Sequence, residues 1–77
     1  MGQNQKAVGM VAKWVYMRFV EGLFQEKPIW TTEEIYSRML DKWPTGHLPT
    51  KNAMANILLR SYKNMNRATN KDAEWIK

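Results

Sequence analysis

The chain contains no cysteine. That absence removes disulfide scaffolds, cysteine zinc sites and thiol chemistry together. Histidine occurs once, as His47, and no dense carboxylate cluster accompanies it. A metal centre, and a cofactor held by one, are therefore not expected. Glycine is scarce, with four residues, and none builds a loop of the kind that cradles phosphates. Long apolar runs are missing too. Met10–Val20 is broken by Lys13 and Arg18, and it is too short and too charged to cross a bilayer. No secretory leader pattern is present, and Gly2 is not followed by the hydroxyl residue of a myristoylation motif. The expectation is a cytoplasmic protein with no membrane partner.

What remains is an ordinary small globule. The chain has 77 residues, 44% hydrophobic and 25% charged. That length supports one core and buries only about 60% of the unfolded surface. Met1–Lys6 is polar and expected to fray, which leaves 7–77 as a single domain. Twelve Lys and Arg against seven Asp and Glu give a net charge of +5, which favours an acidic partner.

Periodicity predicts three helices. In the first, Ala7–Phe24, the residues Val8, Val11, Ala12, Val15, Phe19 and Leu23 recur at steps of three and four. Pro28-Ile29-Trp30 then reads as a very short strand. Thr31-Thr32-Glu33-Glu34 has the form of a capping box, with Trp30 and Ile35 as its hydrophobic staple. The second helix carries Ile35, Tyr36, Met39, Leu40 and Trp43 inward and stops before Pro44. Thr45–Pro49 is a turn, with Leu48 plugging the core. The third helix starts at the cap Thr50 and runs to about Asn64, burying Met54, Ile57, Leu58, Tyr62 and Met65. Ala73–Lys77 reads as a closing strand with Trp75 inward and Pro28–Trp30 as its partner.

The outer face of the third helix carries the functional signal. At 100° per residue, Asn52, Asn56, Arg60, Lys63 and Arg67 fall within about 80° if the helix continues that far. No acid occurs between Lys42 and Lys71, whereas six Lys and Arg do. Segregation of this kind says more than net charge. Asparagine pairs with the major-groove edge of adenine, arginine forks onto guanine, and the surrounding cations neutralise phosphates. The rival reading is a solvated helix face, but such faces usually mix signs.

The stretch TTEEIYSRMLDKWPTGHLPTKNAMANILLRSY, with the closing AEWIK, resembles the small winged helix-turn-helix DNA-binding domains. The resemblance covers roughly the last two-thirds of the chain. It implies a mainly α fold, a three-helix core with a minimal wing of one or two very short strands. It also implies a third helix that enters the major groove and a wing that touches the backbone. By residue, it points to Thr50, Lys51, Asn52, Asn56, Arg60 and Lys63 on the recognition helix, and to Arg67 and Lys71 on the wing. The span Asn66–Asp72 is short for a wing, and the turn Thr45–Pro49 is longer than the tightest units of this type.

Met10, Trp14 and Met17, with Phe24 nearby, fall opposite the predicted core stripe of the first helix. An exposed apolar patch of this composition suits a second copy of the chain or another protein. Sequence alone therefore predicts a sequence-specific, dimeric binder of double-stranded DNA, a transcriptional regulator and not an enzyme. The alternative is a protein-interaction module, an inhibitor or adaptor acting through the patch. Glu33 and Glu34 do not form a catalytic pair, because neighbouring helix positions diverge by about 100° and capping accounts for Glu34. Trp30, Trp43 and Trp75 are expected in the core, and His47 on the surface.

Overall fold

The computed structural model describes residues 9–65 and 73–77. Three helices, α1 (Lys13–Glu26), α2 (Thr32–Lys42) and α3 (Lys51–Ser61), are joined by three short strands. The strands are β1 (Ile29–Thr31), β2 (Lys63–Asn64) and β3 (Glu74–Ile76), and a 3-10 turn covers Thr45–His47. The fold is mainly α with a minimal antiparallel wing, as the sequence implied.

Each junction has a local cause. Lys27 precedes Pro28, a position that disfavours helical backbone, and it is extended at φ −156, ψ 156. The capping box at the start of α2 is complete: Glu34 N–H donates to Thr31 Oγ1 at 3.1 Å, and Thr31 N–H donates to Glu34 Oε1 at 3.0 Å. The staple residues Trp30 and Ile35 are both buried. Trp43, ahead of Pro44, is extended and closes α2. Thr50 caps α3 by accepting from Ala53 N–H at 3.1 Å.

The sheet runs β1-β3-β2, with both pairings antiparallel. Trp30 lies opposite Trp75 in β3, the pairing expected of the closing strand. Two further bonds tie the sheet to α2. Thr32 N–H donates to the Ala73 carbonyl at 3.1 Å, and Trp75 Nε1 donates to Thr32 Oγ1 at 2.7 Å. Thr32 is thus a buried polar group that is satisfied.

One core joins all the layers: Val20 and Leu23 of α1, Ile35 and Met39 of α2, Met54 and Leu58 of α3, and Leu48 and Trp75. Four expectations are corrected here. First, α1 begins at Lys13, not Ala7; residues 9–12 are not helical, and Val11 N–H donates instead to the His47 carbonyl at 2.8 Å. Second, its buried stripe is Tyr16, Val20, Leu23 and Phe24, rotated by about 80° from the one read on Val15, Phe19 and Leu23. Third, α3 stops at Ser61 because Tyr62 is extended, with its ring stacked on Phe24 at a centroid distance of 4.7 Å. Lys63 and Asn64 therefore form a strand in place of the expected last helical residues. Fourth, Leu40 and Met65, assigned inward, are exposed, and Tyr36, Trp43 and Ile57 are only half-buried.

Candidate nucleic-acid interface

Helix α3 divides cleanly by side. Met54 and Leu58 are fully buried, and they fix the helix against α2. Asn52, Asn56 and Arg60 are exposed, at steps of four, on the other side. They lie within about 80° by helix geometry. The three central residues of the predicted face are therefore where the sequence placed them.

Lys63 is not on that face. It is exposed, but it sits on β2 beyond the helix end. The side-chain ring of Tyr62 packs on α1, and that contact outweighs two more residues of helix. Lys51 is also changed by tertiary context. Its Nζ is paired with Glu33 Oε1, across from the second residue of α2. The acid-free window in the sequence thus acquires a carboxylate from outside itself. Thr50 is exposed and spends its oxygen on capping, which leaves its hydroxyl hydrogen to donate outward. Arg67 and Lys71 lie outside the described residues.

Among the described cations elsewhere, Lys27, Arg38 and Lys42 are engaged, whereas Lys13, Arg18 and Lys77 have no such contact among the described residues. Lys27 pairs with Glu34 at 3.2 Å, and Arg38 forks onto Glu26 at 3.1 and 3.0 Å. Arg38 holds the Glu26 carboxyl below its ordinary range. The N–H of Thr31, then Lys27, does the same for Glu34. Lys42 lies over the Phe19 and Trp43 rings, at 5.8 and 5.6 Å. No partner of this kind is found for Arg60 or Lys63 among the described residues. Nor is there a cluster of His, Asp or Glu that could hold a metal among those residues, or a helix long and apolar enough to cross a membrane.

The apolar patch proposed on the first helix is only partly present. Trp14 is 67% exposed, and Met17 is half-buried beside it. Met10 is exposed but precedes the helix, and Phe24 is buried under Tyr62. The rotated core stripe accounts for the burial of Phe24, and the later start of α1 for the place of Met10. Sequence reading did not anticipate a groove of about 370 Å³ lined by Trp14, Met17, Arg18, Glu21, Tyr62 and Lys77. Burial, with a smaller contribution from Glu21, pushes the Tyr62 hydroxyl above its usual pKa. The signal for this groove is Tyr62, an aromatic residue expected on the inner face of the third helix that turns to Phe24 of α1 instead.

No family model, curated protein or solved structure matches this chain.

Proposed function

We propose that the protein is a small winged-helix binder of double-stranded DNA, with α3 as its recognition helix. One observation carries the reading: Asn52, Asn56 and Arg60 project from a helix whose opposite side is locked in the core. A rigid, donor-rich ridge of that width fits a major groove about 12 Å across. Arg60, Lys63, Arg67 and Lys71 would sit on phosphates, while Asn52 and Asn56 read base edges. Glu33 makes Lys51 a weaker phosphate ligand than the others. The role is that of a transcriptional regulator in the cytoplasm, without catalysis, metal or cofactor.

Titration into random duplex DNA at rising salt tests the reading. If those four cations each neutralise one phosphate, log K against log[salt] has a slope of about −3.6. Absence of binding at 50 mM salt, where this attraction is strongest, contradicts it.

A second reading follows from exposed Trp14 and its adjoining groove. We assign this face to a homodimer, which would present two copies of α3 to a palindromic site. An adaptor or inhibitor function through the same face is the alternative, and it is favoured if duplex DNA is not bound.

A further inference from the structure

Leu59 is the one large aliphatic residue of α3 that the core does not use. It is 53% exposed, whereas Met54 and Leu58 are fully buried. Helix geometry puts it about 20° from Asn52 and about 60° from Asn56, on the same ridge. Asn52, Ala55, Asn56 and Leu59 thus follow one another at i, i+3, i+4 and i+7. That spacing is the contact edge of a helix lying along a groove. A leucine side chain set among asparagines and Arg60 cannot hydrogen-bond to a base or neutralise a phosphate. In the major groove, its apolar match is the 5-methyl group of thymine.

We infer that Leu59 is a specificity-determining residue that packs against a thymine methyl next to the adenine read by Asn56. The inference rests on the duplex-binding reading and gives it a substrate preference. Neighbouring residues on one helix face have Cβ atoms about 5–6 Å apart, which spans one or two base-pair steps of 3.4 Å. The preferred site therefore holds two A·T pairs, adjacent or one step apart, read by Asn56 and Leu59. Charge supports DNA as the occupant of this ridge, since exposed Arg60 on it and exposed Lys63 just beyond it have no acidic partner among the described residues.

Deoxyuridine differs from thymidine only by that methyl, so it removes the contact and leaves every hydrogen bond in place. The experiment selects duplexes from a randomised pool with the unaltered protein, then replaces each thymine of the recovered site by deoxyuridine. At one or two positions, affinity is expected to fall about fourfold, the value of one buried methyl or methylene. Leu59→Ala should bind the parent duplex more weakly and be indifferent to the same replacement, with its fold checked by circular dichroism. Leu59→Met should retain the discrimination. Equal affinity of the unaltered protein for thymine and uracil duplexes at every position overturns the inference but not the duplex-binding reading. An unchanged uracil penalty in Leu59→Ala overturns it as well. If no sequence is enriched from the pool, sequence-specific binding itself fails, and the Leu59 inference falls with it.

Discussion

Trp75 and Thr32 show how single side chains hold the wing to the helical core. Both are buried, and the indole N–H donates to the threonine hydroxyl at 2.7 Å. Removing one partner strands the other in the interior, at a cost of about 1–3 kcal/mol. Trp75→Phe and Thr32→Val should each destabilise the protein by that order in urea unfolding. The double variant should lose less than the two single losses combined, because the stranded group is then gone. Strict additivity would mean that the bond contributes nothing. The same scale governs the proposed site. Asn52, Asn56 and Arg60 hold their ridge because Met54 and Leu58, each two residues away, are fixed underneath. Residues of this kind were legible in the sequence because their environment is set by the helix that bears them. Lys51 was not, since its partner Glu33 comes from another helix.

At the scale of elements, the start of α2 is the best-determined junction. Its capping box contributes about 1 kcal/mol, which Thr31→Ala should remove in thermal or urea unfolding. The box also sets a pH dependence. The folded pKa of Glu34 lies below its ordinary value near 4.5 because the Thr31 N–H and Lys27 favour the carboxylate. The unfolded chain therefore takes up that proton first. The stabilisation is present above the unfolded value, and it is lost as pH falls through the lower folded value. Stability measured from pH 6 down to pH 3 should decline, and Glu34→Gln should flatten the decline. A profile identical in the variant would contradict the assignment.

Glu33 makes a different contribution, at the foot of α3. An exposed pair of this kind adds little to stability, but here it occupies Lys51. Glu33→Gln should leave unfolding almost unchanged and strengthen binding to random duplex by about two- to fivefold at low salt, the range set by an exposed ion pair. Unaltered or weaker binding would place Lys51 away from DNA. The strand-to-helix junctions were readable because prolines and caps act within a few residues. The phase of α1 was not, because Val15 and Phe19 satisfy the periodicity as well as Tyr16 and Phe24 do. The stack of Phe24 on Tyr62 decides between them, and it joins residues far apart in the chain. That same stack ends α3 before Lys63.

At the scale of the whole molecule, the Asn52–Asn56–Arg60 ridge and exposed Trp14 are borne by different helices, α3 and α1. In the proposed reading, the ridge of α3 meets DNA and the Trp14 side of α1 meets a second copy. Size-exclusion chromatography with light scattering should report a dimer for the unaltered protein and a monomer for Trp14→Ala. A monomer in both cases would remove the self-contact and leave the groove to another partner. Lys63→Gln should lower the salt slope on random duplex by about 0.9, one phosphate's share, without altering sequence preference. The measurement closest to the central claim compares Asn56→Ala with the unaltered protein on a selected duplex and on random duplex at one salt concentration. A base-reading asparagine predicts a loss of about 5- to 150-fold on the selected site, equivalent to 1–3 kcal/mol, and almost none on random DNA. Equal losses on both would contradict it.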